Sequence, residues 1–317
     1  MKPVPQVSVV IPVHNREALI GRAIDSVLRQ SFADFELLVV DDGSTDATAA
    51  RVLAHADPRL RLLRHAENQG AAAARNTAIA AARGEFIAFL DSDDEWLPDK
   101  LARQVACLAA APPDTLMCCS GYWMVRERSR EVAARIPAAR GSWREALRDG
   151  CNLSPGSTAF IRRRAFDLHG PLDERLGRLE DWDWLLRYTT RHDLIVIAEP
   201  LARIYIAERM RFEPVHEAVK RLRAKHGTEM RRLGFWPAAR FRAALLMEEA
   251  VTAFYAGRPL RAALYFAGSL AIYPRKPAGF FAHVARRALR LLRRSKGGPP
   301  GQRLSSPDQL FSRPEGS

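Results

Sequence analysis

The sequence predicts an α/β protein in which a mainly parallel sheet is flanked by helices and followed by a helical C-terminal region. Three observations support this prediction. Short apolar, β-branched runs alternate with amphipathic segments over the first 110 residues, as in parallel sheets covered on both faces. Helical spacing dominates the last third of the chain. The 317 residues, 47% hydrophobic and 27% charged, have an ordinary globular composition, which excludes a disordered, collagenous or disulfide-stapled chain.

Four strands and four helices are expected in residues 1–110. Each strand is a short apolar run ended by a polar or turn-forming residue. The helices have apolar residues on one face, and two have start signals, a capping Asp46 and an opening Pro98. The expected strands are 7–11, 35–40, 60–63 and 85–90, and the expected helices are 16–30, 47–55, 71–82 and 98–110.

The pattern is less regular over residues 111–210 and becomes helical beyond them. We expect strands at 115–125, 157–162 and 194–198, and helices at 182–191, 214–232, 238–256, 258–271 and 278–294. Residues 296–317 are rich in glycine, proline and serine, which predicts a disordered tail. The predicted organisation is therefore two halves of one sheet domain, 1–110 and 111–210, then a helical region, 211–295, and the tail.

Positive charge is concentrated in the C-terminal third. The net charge is +13, and residues 206–317 hold 22 basic against 8 acidic side chains, whereas residues 1–110 hold 12 against 15. Residues 278–294 would form a helix with an apolar arc and an arginine arc, which suits the interface of an anionic membrane. A helix packed on the domain with a solvated arginine face is the alternative. No basic motif interleaved with aromatic residues occurs, so no nucleic-acid partner is expected.

Cysteine usage and the lack of apolar segments indicate the compartment. The four cysteines form no CxxC pair and have no histidine at ligand spacing, so neither a structural zinc site nor an oxidising compartment is expected. Residues 1–6 lack the features of a signal peptide, and no run of about 18 apolar residues occurs. We therefore expect a cytoplasmic protein. Through residues 278–294 it would attach peripherally to the inner face of the cell membrane.

Carboxylates crowd the ends of two predicted strands. Asp41 and Asp42 follow the second strand, and Asp91, Asp93 and Asp94 follow the fourth. Ligands of open α/β sheets bind beyond these carboxyl ends, and clustered carboxylates repel one another unless a cation or donors compensate. An Asp-x-Asp turn can bind Mg²⁺ or Mn²⁺, which also contacts substrate phosphates. Solvated turn and capping residues are the alternative interpretation.

Four segments of the chain resemble the family 2 glycosyltransferases, which have the GT-A fold. They are SVVIPVHNRE (8–17), ELLVVDDGSTDAT (36–48), NQGAAAARNTAIAAARGEFIAFLDSDDEW (68–96) and LEDWDWLLR (179–187). With their spacers they cover about two-thirds of the chain. The resemblance implies a metal-dependent, inverting enzyme. Such an enzyme moves a sugar from a nucleotide-diphosphate donor, most often UDP-linked, to a hydroxyl of a glycan or lipid-linked acceptor.

The resemblance also implies the roles of individual residues. Those implied to bind the nucleotide sugar are Pro12, His14, Asn15, Arg16, Asp42, Asn68, Gly70, Arg75, Asp91 and Ser92. Asp91 and Asp93 would hold the divalent metal, Mn²⁺ or Mg²⁺. Asp181 would be the general base, with Glu180 and Trp182 on the acceptor side. An N-cap is the alternative role for Asp181, and a place in the core is the alternative for Trp182. Residues 152–164 are expected to shape the acceptor side. At the position of His14, members of the family often have Tyr.

Two functions of other classes compete with this interpretation. A nucleotide-sugar-binding module without turnover, held to a membrane by residues 278–294, would use the same donor residues. Assays of donor hydrolysis or transfer distinguish it from an enzyme. A nucleotidyltransferase would need a glycine-rich phosphate loop near the first strand, and PVHNRE contains no glycine.

Overall fold

The computed structural model describes residues 4–126, 130–206 and 211–274. These residues form one mixed sheet of nine strands with helices around it. The strands are β1 (Val7–Val13), β2 (Phe35–Asp42), β3 (Leu60–His65), β4 (Phe86–Phe89), β5 (Glu95–Trp96), β6 (Met117–Arg126), β7 (Glu131–Arg135), β8 (Phe160–Arg162) and β9 (Ile195–Tyr205). The helices are α1 (Ile20–Leu28), α2 (Thr48–Leu53), α3 (Ala71–Ala81), α4 (Lys100–Ala110), α5 (Trp143–Ala146), α6 (Pro155–Thr158), α7 (Arg164–His169), α8 (Glu180–Tyr188), α9 (Phe212–Arg232), α10 (Phe235–Tyr255) and α11 (Pro259–Ile272), and a 3₁₀ turn lies at Leu147–Asp149.

The strand order is β3-β2-β1-β4-β8-β6-β9-β5, and β7 pairs with β6. Strands β3, β2, β1 and β4 are mutually parallel. Strand β8 runs antiparallel to both β4 and β6. Val13 pairs with Asp41 and Val10 pairs with Phe89, so β1, β2 and β4 end at the same edge of the sheet.

The core explains why the first strands are continuous apolar runs. Every residue of β1 and β2 is buried, as expected for parallel strands covered on both faces. Alternate residues face opposite ways. Val10 and Leu38 therefore pack in the cluster that also contains residues of α3 and α8–α10, and Val9 and Leu37 pack in the cluster that contains residues of α1 and α4.

The C-terminal helices pack against the sheet domain. Asp183 of α8 accepts hydrogen bonds from His226 Nε2 and Lys225 Nζ of α9, both at 2.8 Å. Arg240 of α10 donates to both carboxylate oxygens of Asp149, at 2.9 and 2.8 Å. The predicted α/β sheet flanked by helices, with a helical C-terminal region, is therefore confirmed. The described residues up to Tyr273 belong to one compact unit, and the predicted division of the chain at residues 110 and 210 stays a prediction.

Several boundaries differ from the predicted ones. The expected strand 157–162 begins only at Phe160, because Pro155 opens the short helix α6. The expected strand 194–198 continues to Tyr205. It passes Pro200, which lies opposite Gly121 where the register shifts, a position that tolerates proline. The two-residue β5 and the strand β7 were not expected. The predicted helix 278–294 and tail 296–317 lie outside the described residues. None of the helices that the structure describes is long and apolar enough to cross a bilayer.

Candidate active site at the carboxyl edge of the sheet

The loops after β1 and β2 are tied together by polar contacts. His14 Nδ1 donates to the carbonyl oxygen of Asp42 at 2.8 Å. The backbone N–H of Asn15 donates to Ser44 Oγ at 2.9 Å, and Asn15 Oδ1 accepts from the N–H of Thr45 at 2.8 Å. Asn15 has a φ of +50°, a conformation that asparagine adopts more readily than most residues. These contacts hold His14 and Asn15 beside the turn at residues 41–45, so the loops after β1 and β2 can contact the same ligand.

Two further predicted residues flank this corner. Pro12 is buried in β1, where it lies opposite Val40 of β2. The backbone N–H of Arg16 donates to Thr48 Oγ1 at 2.8 Å. Asp46 Oδ1 accepts from the N–H of Thr48, the first residue of α2, at 3.0 Å. The N-cap position is occupied by Ala47, so the prediction that Asp46 is the helix cap is wrong by one residue.

Asp42 holds the loop that leads into α3. Its Oδ1 accepts from Gln69 N–H at 2.9 Å and from His65 Nδ1 at 2.7 Å, and its Oδ2 accepts from Gly70 N–H at 2.8 Å. Gly70 has a φ of +96°, which suits glycine because it has no Cβ. The exposed Asn68 belongs to the same loop. Asp42 therefore positions two predicted donor-site residues, Asn68 and Gly70. No pattern in the sequence indicated the role of His65.

The acidic loop after β4, residues 91–94, contains one buried carboxylate and two that are partly exposed to solvent. Asp94 is buried, and it accepts from Ser157 Oγ at 2.5 Å and from Tyr205 N–H at 2.9 Å. Ser92 is also buried. The side chain of Asp91 is 41% exposed and that of Asp93 is partly exposed. Asp91 and Asp93 are therefore the members of this loop that a ligand can reach.

Arg75 joins this acidic loop to α8. Its Nη2 lies 2.5 Å from Asp91 Oδ1, and its Nη1 lies 2.5 Å from Glu180 Oε1. Burial disfavours the charged guanidinium, but the carboxylates of Asp91 and Glu180 outweigh burial and raise the pKa of Arg75. One buried cation therefore joins the acidic loop at Asp91 to Glu180 of α8, a residue that is 105 positions from Arg75 in the chain. The resemblance placed Arg75 at the donor but did not predict this bridge.

Asp181 lies in the first turn of α8, next to that bridge. Helix α8 begins at Glu180 after Leu179, which has a left-handed φ of +63°, so Asp181 is not the N-cap. Its Oδ1 accepts from the N–H of Trp182 at 2.7 Å. Burial raises the pKa of Asp181 to about 6, with the charge of Glu180 adding to the effect and that of Arg75 opposing it. A carboxylate with a pKa close to neutral pH suits general-base chemistry.

Asp91 and Asp93 could supply carboxylate ligands to a divalent cation. Burial and then the charge of Asp91 raise the pKa of Asp93, whereas the charges of Arg16 and Arg22 lower it. A carboxylate whose charge is disfavoured by burial and by a neighbouring carboxylate is stabilised by a cation. In the part of the chain that the structure describes, no three His, Cys, Asp or Glu side chains converge on one metal position. The pair fits Mg²⁺ or Mn²⁺, because such ions use one or two carboxylates together with phosphate oxygens.

Trp182 requires a correction. Its side chain is 0% exposed, its indole N–H donates to the carbonyl of Leu147 at 2.8 Å, and its ring packs against Phe241 at 5.8 Å. A ring without exposed surface does not stack on an acceptor sugar, so the suggestion of an acceptor-side role is wrong and the core alternative holds. Glu180 is also largely buried, and its carboxylate binds Arg75.

Helix α6 contributes residues whose individual roles the sequence did not indicate. A Cβ added at Gly156 would lie 2.4 Å from Asp91 Oδ2. Ser157 Oγ accepts from the backbone N–H of Asp91 at 3.1 Å. A small cavity of about 20 Å³ is lined by Arg75, Gly156 and Asp181 among others. The expectation that residues 152–164 shape the acceptor side located this segment, but only the fold reveals its contact with Asp91.

Comparison with known proteins gives the same family along much of the chain. The model of the family described as Glycosyl transferase family 2 matches residues 8–168. The UDP-Glc:alpha-D-GlcNAc-diphosphoundecaprenol beta-1,3-glucosyltransferase WfgD of Escherichia coli is 49% identical over 102 residues, 32% of this chain and 40% of that protein. The succinoglycan biosynthesis protein ExoO of Rhizobium meliloti is 48% identical over 108 residues, 34% of this chain and 31% of that protein. The match thus spans less than half of each of these relatives.

Solved structures resemble the whole described fold. The structure of Staphylococcus aureus TarS 1–349 in complex with UDP has a TM-score of 0.54 at 19% identity, covering 85% of this chain and 91% of that one. The mannosyltransferase PcManGT of Pyrobaculum calidifontis, in complex with GDP-Man and Mn²⁺, has a TM-score of 0.57 at 21% identity, covering 92% and 81%. At these identities the likeness shows the shared fold.

Proposed function

The chain belongs to glycosyl transferase family 2, and from this premise we propose the reaction that it catalyses. It transfers a sugar from a nucleotide-diphosphate donor, UDP-linked, to a hydroxyl of a glycan or lipid-linked acceptor. The reaction depends on a divalent metal and inverts the configuration at the anomeric carbon.

The Arg75 bridge is the observation that carries this proposal. The donor diphosphate belongs at Asp91 and Asp93, and the proton acceptor is Asp181. Arg75 lies 2.5 Å from Asp91 and 2.5 Å from Glu180, the neighbour of Asp181. Arg75 also contributes to the pKa of Asp181 through its charge. A sugar whose diphosphate lies at the acidic loop would therefore present its anomeric carbon near the base.

The reaction is a single displacement. Asp181 removes the proton of the acceptor hydroxyl as the oxygen attacks the anomeric carbon, and the bond between that carbon and the diphosphate oxygen breaks on the opposite side. Such a displacement needs no enzyme nucleophile. A general base must lie within hydrogen-bond reach of the hydroxyl that it deprotonates. A divalent ion held by Asp91 and Asp93 would neutralise charge on the leaving diphosphate.

The names of related proteins support the donor and acceptor classes. The full name of WfgD contains UDP-Glc and alpha-D-GlcNAc-diphosphoundecaprenol. TarS was crystallised in complex with UDP. Several relatives carry names from polysaccharide synthesis, including succinoglycan and teichuronic acid. We therefore assign to this chain a UDP-sugar donor, an acceptor of cell-envelope polysaccharide synthesis, and a place at the inner face of the cell membrane.

Membrane attachment is supported by charge and by an exposed aromatic corner. No acidic residue occurs between Glu249 and Asp308, so this stretch is attracted to anionic lipid. The aromatic corner consists of Phe235, Trp236 and Tyr273. The first two are 75% and 62% exposed, and the ring of Trp236 lies 5.2 Å from Phe235 and 6.4 Å from Tyr273. Such rings prefer the membrane interface.

Cosedimentation with vesicles of phosphatidylcholine and phosphatidylglycerol tests this attachment. The F235A/W236A double variant should bind several-fold more weakly than the wild type. The matched control is Leu53→Ala, which removes a 67% exposed side chain from α2. Equal binding by all three proteins would contradict a role for the aromatic corner.

A screen of nucleotide sugars tests the enzymatic proposal. The protein is incubated with UDP-, GDP- and dTDP-sugars in the presence of Mn²⁺, and release of the nucleoside diphosphate is followed. We expect turnover of a UDP-sugar, loss of turnover with EDTA, and faster release once a suitable acceptor glycoside is added. Tight donor binding without any turnover would instead indicate a binding module.

A further inference from the structure

Arg148 is a buried arginine that lacks a partner. It lies in the 3₁₀ turn at Leu147–Asp149 and is 8% exposed. Its Nε is buried without a hydrogen-bond partner, and no described residue forms a hydrogen bond or an ion pair with its Nη groups. A buried cation is costly unless an anion compensates its charge. Pairing within the described part of the chain therefore does not explain Arg148.

The two acidic side chains that could pair with Arg148 are bound to other arginines. Asp149, the next residue, accepts from Arg240 of α10 with both carboxylate oxygens, at 2.9 and 2.8 Å. Glu229 of α9 is paired with Arg144 at 3.3 Å. The charge of Arg148 is thus left without a counter-charge of its own.

Arg144 and Arg240 lie beside Arg148. Helix α5 continues directly into the 3₁₀ turn, so Arg144 and Arg148 are about one turn apart. Arg240 spans the same turn, because its Nη2 donates to the carbonyl oxygen of Glu145 at 3.2 Å and to Asp149 Oδ2 at 2.8 Å. We call Arg144, Arg148 and Arg240 the arginine cluster.

The electrostatics of the arginine cluster favour an anion. Burial first, and then the charge of Arg144, lower the pKa of Arg148, and the charge of Arg240 adds to the effect. The charges of Glu145 and Glu229 oppose this shift without cancelling it, and Glu145 is exposed. A cation whose charge is disfavoured by burial and by neighbouring cations is stabilised by an anion.

The aromatic corner lies next to the arginine cluster. Trp236 and Arg240 are four positions apart on α10, so their side chains are neighbours on the surface of that helix. Trp236 and the adjacent Phe235 are both exposed. Aromatic rings of this kind lie at the level of the lipid head groups. An anion that reaches the arginine cluster from the membrane would therefore be the phosphate of a head group.

We propose, on the basis of the membrane attachment in the proposed function, that the arginine cluster binds the phosphate group of an anionic phospholipid. Arg148 supplies the guanidinium that has no partner in the described chain, and a guanidinium can donate two parallel hydrogen bonds to phosphate oxygens. The aromatic corner enters the membrane interface beside it. The ligand class is a phosphate ester in a lipid head group. Arg148 thus has a defined ligand, in addition to the general attraction of the basic C-terminal region to anionic lipid.

Cosedimentation of Arg148→Met with vesicles of phosphatidylcholine and phosphatidylglycerol tests this inference. Methionine keeps an unbranched apolar side chain but removes the charge. We expect vesicle binding to weaken about 10–100-fold, the effect of losing a hydrogen bond to a charged group. Arg148→Lys keeps the charge but not the paired donors, so its affinity should lie between those of Arg148→Met and the wild type.

The matched control is Arg29→Met, which makes the same change in net charge at a side chain that is 67% exposed, at the end of α1. Its affinity for the vesicles should equal that of the wild type. In the absence of lipid, Arg148→Met should unfold at the same or a higher temperature than the wild type, because it removes a buried cation that lacks a counter-charge.

Three results would contradict the inference in different ways. Equal vesicle binding by Arg148→Met and Arg29→Met would overturn it. If inorganic phosphate then raises the unfolding temperature of the wild type but not that of Arg148→Met, the site belongs to a soluble phosphate. A lower unfolding temperature of Arg148→Met without lipid would show that Arg148 has a structural role instead. Failure of the wild type to sediment would contradict the membrane attachment itself, whereas sugar transfer is tested separately by the screen of nucleotide sugars.

Discussion

Arg75 illustrates how one buried side chain can organise a site. Its guanidinium is 7% exposed and binds carboxylates from the acidic loop and from α8. A buried cation is costly unless it is well paired, so Arg75 and its two partners hold one another in place. The resemblance predicts that Arg75 borders the donor. Its partner Glu180 could not be inferred from spacing, because Arg75 of α3 and Glu180 of α8 meet only in the assembled fold.

The pKa of Asp181 leads to a prediction about pH. A general base acts only when it is ionised, and burial keeps Asp181 protonated up to about pH 6. We therefore expect kcat/KM to fall about tenfold per pH unit below pH 6. Initial rates between pH 4.5 and 8 at constant ionic strength measure this limb. An acid limb near pH 4, the ordinary carboxyl value, would show that Asp181 is not the base.

The carboxylate of Asp93 leads to a prediction about metal-dependent binding. Asp93→Ala removes one of two adjacent carboxylates, so Mn²⁺ should no longer increase the affinity for the nucleotide-sugar donor. Calorimetric titration with and without Mn²⁺ measures the difference. Asp34→Ala is the control, since Asp34 is an exposed residue before β2. If Mn²⁺ strengthens donor binding equally in Asp93→Ala and in the wild type, Asp93 is not a ligand.

Among the elements, the short helix α6 acts as a support for the acidic loop. Gly156→Ala would bring a Cβ within 2.4 Å of Asp91 Oδ2, and Asp91 cannot yield freely because its other oxygen binds Arg75. We expect at least a tenfold loss of kcat/KM for the donor with little change in the unfolding temperature.

The matched control for Gly156→Ala is Gly21→Ala in α1. A Cβ there would meet nothing within 4 Å, and alanine stabilises a helix interior by about 0.5–1 kcal/mol relative to glycine. Both variants are compared by donor kinetics and thermal unfolding. Full activity of Gly156→Ala would mean that the acidic loop adjusts without cost, and the support assigned to α6 would be wrong.

The junction between α8 and α9 leads to a prediction about stability. The fully buried carboxylate of Asp183 binds His226, Lys225 and Arg187. Asp183→Asn leaves Lys225 and Arg187 without this counter-charge and removes the carboxylate that binds His226, which should lower the free energy of unfolding by about 3–5 kcal/mol. Denaturant unfolding at pH 7 measures this loss. A decrease in the free energy of unfolding of less than 1 kcal/mol would contradict the claim that Asp183 stabilises the junction between α8 and α9.

The pH dependence of this effect has a definite sign. Burial raises the pKa of Asp183, but hydrogen bonds from His226 and Lys225 and the charge of Arg187 outweigh it, so the pKa is lowered in the folded protein. A carboxyl with a lowered pKa stabilises the fold above its ordinary pKa of about 3.9, and the stabilisation is lost as pH falls through the lowered value. The stability difference between wild type and Asp183→Asn should therefore shrink below about pH 4.

At the scale of the whole molecule, the first half of the sheet could be predicted because its signals are local. Strands β1 to β4 are apolar runs separated by helices, and their polar ends meet at one edge. The second half depends on pairings between distant segments, such as β6 with β9, whose register shifts near Gly121. No periodicity reports such a shift, which is why strand β9 was predicted too short at Pro200.

The candidate site could likewise be predicted from the sequence only in part. Motifs single out Asp42, Asp91, Asp93 and Asp181 as candidates, because carboxylates crowd the ends of β2 and β4 and the start of α8; their roles stay predictions. Burial is a property of the assembled chain, so the aromatic pattern of LEDWDW left open whether Trp182 faces a sugar or the core.

The most direct test of the account compares transfer with donor binding in Asp181→Asn. The asparagine keeps the size of the side chain but cannot take a proton, so transfer should fall about 10²–10⁴-fold. Donor affinity in the presence of Mn²⁺, measured by calorimetry, should stay within about twofold of the wild type. Transfer by Asp181→Asn at a rate near that of the wild type would contradict the claim that Asp181 is the base opposite the donor.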